Sequence, residues 1–271
     1  MLIRIDPHAH LYDCYPLREW IEAAMSNLQV GSGVCAAVVI VDRAGQDSFA
    51  RLRSEVPKFG VWSEAPTTAE QRCQQAAERV VTGLVSYSGH SLRVIRGAQY
   101  VTRERIEVLG LGVARSVDDG APCIETIQRI QSSGGLACIP WSPGKWLGKR
   151  GAVVKSMLRQ FPQQRIALGD ISMRTACGPP STILTGAAKL GFAVLPGSDP
   201  LPRRADTQLV GSYGCELTIP AAINDPSWLQ TMLNALLKSS DGGGVWGSPN
   251  TPLNAARRFI ATCRRSYDCS K

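Results

Sequence analysis

The chain has 271 residues, 44% of them hydrophobic, which is enough for one large domain with a proper core. Its formal charge of +8 is scattered and forms no block of like charges, which argues against a nucleic-acid tail and for a basic pocket that takes an anionic partner. Nine cysteines at irregular spacing, with no CxxC pair, exclude a disulfide framework and a zinc knuckle and read as buried, reduced thiols. The first residues lack the basic head and apolar stretch of a signal peptide, and no run approaches the roughly 20 apolar residues of a membrane span. A soluble cytoplasmic protein without membrane contact is therefore expected.

In chain order, Leu2 to His10 comes first, an apolar strand that ends in two histidines. Side chains alternate along a strand, so His8 and His10 point the same way and can grip one metal ion. Pro7, just before them, fixes a backbone angle and favours an extended Asp6. Only three histidines occur, at positions 8, 10 and 90, and two of them share this strand end. The plainer alternative is a pair that caps the strand or bonds locally. Pro16 to Leu28 has helical apolar spacing, and Cys35 to Val41 is an apolar, β-branched run ending at Asp42, as in a parallel strand buried on both faces. Strand, helix and strand make a crossover unit. Asp47 to Val56 reads as a short helix, Phe59 to Ser63 as a strand and Thr68 to Val81 as a helix. Val80 to Tyr87 and Leu92 to Val101 read as strands joined by a turn that carries His90, a surface residue, and Ile106 to Leu111 as a further strand.

The second half alternates. Helices are predicted over Ile124 to Ser132, Val153 to Phe161 and Ser181 to Leu190, and strands over Leu136 to Pro140, Ile166 to Ile171 and Phe192 to Leu195. Asp225 to Lys238 and Leu253 to Arg265 are closing helices, and Ser239 to Asn250 is a glycine-rich loop. The pattern argues for an α/β barrel or a doubly wound sheet. In a barrel, the residues at the strand ends line one mouth, and here they are His8, His10, Asp42, Arg43, Gln99, Trp141, Lys145, Asp170, Arg174, Asp199, Arg203 and Arg204. His8 and His10 with one or two of the aspartates suit zinc, manganese or iron. A lone aspartate at such a place is more often a cap.

These motifs, taken in order, resemble those of the PHP (polymerase and histidinol phosphatase) superfamily. The resemblance rests on Asp-Pro-His-Ala-His at 6 to 10, Val41-Asp42-Arg43, Gly97-Ala98-Gln99 before Glu107, Gly134-Gly135 leading to Trp141, and Pro196-Gly-Ser-Asp199. It covers roughly the first 200 residues. The resemblance implies a distorted barrel of seven strands and helices, up to three metal ions, and hydrolysis of phosphate esters. It extends to uncharacterised bacterial PHP-like proteins with segments like those at 141 to 146, 169 to 172 and 197 to 202.

Four of the family's ligands are replaced here, by Arg43, Gln99, Trp141 and Leu201. What remains implies a single ion on His8, His10 and Asp199, with Asp170 near another ligand position, or no ion at all. One domain over residues 1–271 is expected, with 225–271 as its closing helices. Within it, Asp42 or Asp199 serves as general base and Arg43 steadies negative charge, while Gln99, Trp141, Lys145, Arg174 and Arg203 face the ligand. The substrate class expected is a phosphoester or another anionic small molecule, with nucleic acid a distant choice. Two alternatives stay open. The barrel has either kept catalysis or become an inactive sensor or accessory protein that binds an anion, and the cations either face that ligand or pair with Asp42, Asp170 and Asp199.

Overall fold

A computed structural model describes residues 1–31, 33–64, 81–114, 118–142, 144–162, 165–174, 181–222, 225–238 and 244–263. Its first half contains β1 (Leu2–Ala9), α1 (Leu17–Asn27), β2 (Val34–Asp42), α2 (Ser48–Glu55), β3 (Val61–Glu64), β4 (Thr82–Tyr87), β5 (His90–Val101) and β6 (Glu107–Leu111). Then come α3 (Cys123–Ser132), β7 (Leu136–Pro140), α4 (Lys149–Gln160), β8 (Ile166–Ile171), α5 (Thr182–Lys189) and β9 (Val194–Gly197). β10 (Tyr213–Thr218), α6 (Trp228–Leu237), β11 (Gly244–Gly247) and α7 (Pro252–Cys263) complete the described chain.

The strands form one mixed sheet in the order β11-β10-β1-β2-β5-β6-β7-β8-β9, with β4 added to β5 and β3 to β4. β1, β2 and β5 run parallel, as do β7, β8 and β9, because helices carry the chain back between most of them. The order curls into a nearly closed barrel. The end of β9 comes beside β1, where the Asp199 N–H donates to the His8 carbonyl at 2.8 Å. This is the mixed α/β barrel expected, with eleven strands among the described residues.

Ile3, Ile5, Ala37, Val39, Ile95, Leu109 and Cys138 fill the interior together with Met232, Leu233 and Leu236 of α6. α6 plugs one end: Leu233 packs on Gly112, just past β6, and Arg93, near the start of β5, lies over the Trp228 ring. The opposite end, where the parallel strands finish, is the mouth. Outside the sheet, α1 and α2 bury Trp20, Ile21, Phe49 and Leu52 against Ala36, Val38 and Ile40. α3 to α5 cover Ala137, Ile139 and Leu168 with Ile127, Val154 and Leu184.

Leu136–Pro140 and Ile166–Ile171 have the bounds that the apolar runs predict. β10 lies in a stretch assigned to no element, and β11 inside the tract read as a loop. Both exist through pairing, β10 antiparallel to β1 and β11 to β10, and such pairing is not local information. The helix expected from 68 to 81 lies outside the described residues up to 80. Ser88 and Gly89 make the hairpin turn with φ of 49° and 78°, and exposed His90 begins β5 just after it. Cys35, Cys123, Cys138 and Cys215 are free and buried, but Cys14 is disulfide-bonded, which corrects the expectation of reduced thiols throughout. Sequence spacing does not measure how closely sulfurs approach in space.

Candidate metal centre

The site begins with an irregularity in β1. Asp6 lies opposite Val38 and Ala9 opposite Ile40, so β1 uses one residue more than β2 between these points. Such a bulge reverses the alternation of faces. Ile3 and Ile5 point into the barrel before it, whereas after it Ala9 packs in the outer layer. His8 and His10, on either side of Ala9, therefore face the interior at the mouth. Pro7, which has no N–H to lose from a ladder, sits in the bulge.

Asp6 holds this geometry. It is fully buried and accepts hydrogen bonds from the N–H of His8 (3.1 Å), Ser198 (3.1 Å) and Gly211 (2.9 Å) and from the Ser198 hydroxyl (2.5 Å). One carboxylate thus ties β1 to the end of β9 and to the turn before β10. Burial pushes its pKa up, against the pull of these four bonds.

Nε2 of His8 and Nε2 of His10 each stand 3.5 Å from Oδ1 of Asp199. One ligand atom from each of the three residues lies within 4.8 Å of the others, a group that can hold a metal ion. The His10 Nδ1 lies 2.9 Å from the Val41 carbonyl, which only accepts, so Nδ1 donates this bond and Nε2 faces the site. Among the described residues, neither ring nitrogen of His8 has a hydrogen-bond partner, although the side chain is buried. Burial lowers the His8 pKa to about 4, which leaves a neutral imidazole suited to ligation. For Asp199, burial acts to raise the pKa, but His8 and His10 outweigh it and hold the carboxyl well below its usual range. Asp199 has φ of 41°, a left-handed conformation that aspartate tolerates better than most residues and that turns the carboxylate toward the histidines.

The other expected residues are distributed around this group. Asp42 shares the outward face of Ala36, Val38 and Ile40, and its carboxylate accepts from Ser48 N–H (3.1 Å) and Ser48 Oγ (2.6 Å) at the start of α2. Asp170 accepts from Arg174 through two nitrogens, at 2.9 and 2.7 Å, and from the Tyr213 hydroxyl at 2.7 Å. Both aspartates lie outside the three-residue group. Lys145 pairs with Glu107 at 2.5 Å, and the charges of both reach His8. Arg43 is exposed and lies over the Tyr12 ring at 4.8 Å, next to His10. Gln99 lies on the inward register of β5, two residues beyond Gly97, whose missing Cβ leaves room for Val39 and Val41 of the interior. Trp141, directly after β7, is half-buried against the outer layer beside α3 to α5, and Trp146 is buried there. Arg203 stands 3.9 Å from Asp206, and Arg204 bonds Glu19 at 3.0 Å.

Tyr12 and Tyr15 add aromatic surroundings, with ring centroids 5.1 Å from His10 to Tyr12 and 5.4 Å from Tyr12 to Tyr15. The period of two running 8, 10, 12 carries a signal for Tyr12. The same period through Glu107, Leu109 and Leu111 carries one for Glu107. Arg258, buried on α7, contacts this region from a place that no local pattern marks.

No protein-family model matches the chain, and no curated protein matches it. Solved structures do. PsfC from Pseudomonas syringae PB-5123 superposes with a TM-score of 0.56 at 15% identity over 97% of this chain and 98% of that one. The lesion-specific endonuclease PfuEndoQ from Pyrococcus furiosus gives 0.51 at 11% identity, covering 90% of this chain and 58% of its own. Endonuclease Q in complex with a 27-mer duplex bearing an abasic lesion gives 0.51 at 12% identity, over 96% and 67%. The shared property is the fold, a nearly closed mixed α/β barrel. Among the described residues, no helix is long and apolar enough to cross a membrane.

Proposed function

We propose that the chain is a PHP-like metal-dependent hydrolase with one divalent ion, zinc, manganese or iron, on His8, His10 and Asp199, acting on a phosphoester or another anionic small molecule. Residues 1–271 form one domain in this reading, with 225–271 closing the barrel. The observation that carries it is the buried His8 ring, which has no hydrogen-bond partner among the described residues and stands 3.5 Å from the Asp199 carboxylate. A buried polar group left unpaired costs stability, and a metal ion supplies the missing partner. An ion bound there would polarise a phosphoryl oxygen and lower the pKa of a bound water.

The remaining roles belong to the chain's own residues. Of the two aspartates considered as general base, Asp199 is the one that faces the histidines, since both Asp42 oxygens accept from Ser48, and its low pKa suits it to holding the ion. Arg43 and Lys145 flank the mouth and steady negative charge on the ligand. Asp170 and Arg174 form a fork-like pair that shapes the wall beside Tyr213. Pairing of Arg174 with Asp170 and of Arg203 with Asp206 leaves fewer cations to hold an anion without a metal, which weakens the alternative of an inactive anion-binding barrel.

The test is a screen of phosphomonoesters and phosphodiesters with metal-reconstituted protein. Turnover that disappears in the His8→Ala variant supports the proposal, and no turnover with any metal contradicts it. The likeness to Endonuclease Q, whose solved complex contains a 27-mer duplex substrate with an abasic lesion, favours including such a duplex in that screen. Cleavage of the duplex but of no small ester would make nucleic acid the substrate class.

A further inference from the structure

Arg258 projects from α7, near the end of the described chain, into the loop that carries Asp199. It is buried, as are the two side chains it touches. Its Nε donates to Oδ2 of Asp206 at 2.9 Å, one terminal nitrogen donates to the Ser172 hydroxyl at 2.9 Å, and the other donates to the Asp199 carbonyl at 2.9 Å. Each acceptor is itself tied into the same loop. Asp206 Oδ2 also accepts the Leu201 N–H at 3.0 Å, and the Ser172 hydroxyl donates to the Ser198 carbonyl at 2.5 Å. The Leu201 carbonyl accepts from the Tyr15 hydroxyl. Asn250, just before α7, donates to the Ser172 carbonyl through its backbone and its side chain, both at 2.9 Å.

From this we infer that Arg258 is a positioning residue that sets the Asp199 carboxylate against His8 and His10, so that docking of α7 completes the metal site. A guanidinium is the side chain able to do this, because its planar fork reaches three acceptors in fixed directions while its charge balances Asp206. The residue it holds needs holding. Asp199 is in the left-handed region, where an unsupported side chain readily returns to an extended backbone and turns away. The link is short: Arg258 grips the Asp199 carbonyl, and the Asp199 N–H is bonded to His8 at 2.8 Å. Its bearing on metal affinity rests on the proposed metal site, whereas its bearing on the conformation of Asp199 does not.

Two measurements on three proteins separate these claims. The proteins are the wild type, Arg258→Lys and the double variant Arg258→Met/Asp206→Asn, in which the buried carboxylate is neutralised so that the fold is not lost to an unpaired charge. Amide hydrogen exchange, measured without metal, should become at least tenfold faster at Asp199 in the double variant, and less so in Arg258→Lys, with the Ile3 and Ile5 amides unchanged. Affinity for zinc, measured by competition with a chromophoric chelator, should fall at least tenfold in the double variant and by a smaller factor in Arg258→Lys. Unchanged exchange at Asp199 would overturn the inference and leave Arg258 as an ordinary buried ion pair. Faster exchange in a protein whose wild type binds no zinc would uphold the positioning role and refute the metal site.

Discussion

Two aspartates flank the histidine pair, and their surroundings give them opposite tasks. Asp6 has its lone pairs filled by three backbone N–H groups and a hydroxyl, so it has nothing left for an ion. Asp199 faces two imidazole nitrogens at 3.5 Å. Replacing Asp6 by alanine strands three buried N–H donors, and unfolding in urea should show a loss of roughly 3 kcal/mol or more. Intact stability in that variant would mean that the donors find other partners. His8 makes a separate prediction about pH. Its folded pKa, lowered to about 4 by burial, lies below the ordinary histidine value of 6.5, so the unfolded chain binds the extra proton first. The sign follows: metal-free stability is constant above the higher value and falls as pH drops from 6.5 toward 4, by roughly 3 kcal/mol in total. His8→Gln should lack that loss, and an identical pH profile in wild type and variant would assign the acid sensitivity elsewhere.

Among the elements, the bulge in β1 and the approach of β9 decide what the histidines face. At Gly197 a Cβ would lie 2.6 Å from the His8 Cβ, which is too close for the two strands to keep their places. Gly197→Ala should therefore cost about 1–3 kcal/mol and weaken metal binding by shifting Asp199 relative to His8. A variant of unchanged affinity would show that the two strands part without disturbing the ligands. These elements also mark what the sequence conveys. The histidine pair is legible because a period of two persists past the bulge, and Asp199 is legible through its place after an apolar strand. The bulge itself is not, since Ile3, Ile5 and the histidines appear on opposite faces in a regular strand. Asp42 reads as a ligand from position alone, yet the alternation of β2 turns it outward to Ser48. β10 and β11 are short strands that exist by pairing with β1 and with each other, and their stretches read as irregular in isolation. Arg258 is 52 residues from Asp206 and 86 from Ser172, separations that no local pattern spans.

For the whole molecule, the barrel makes the site by convergence. α6 seals one end with apolar side chains, so polar groups gather at the other, where β1, β6 and β9 bring His8, His10, Glu107 and Asp199 to one mouth. α7 then crosses beneath the Asp199 loop and locks it to Ser172. A fold of this type accommodates many chemistries, so the activity rests on the site and not on the likeness to PsfC or Endonuclease Q. The central claim is that His8, His10 and Asp199 hold one metal ion. Elemental analysis of protein purified without chelators or a histidine tag, beside the His8→Ala/His10→Ala variant, tests it most directly. About one equivalent of zinc, manganese or iron is expected in the wild type and none in the variant, in line with a single-ion site of three protein ligands. Absence of metal from both proteins, even after reconstitution, would contradict it.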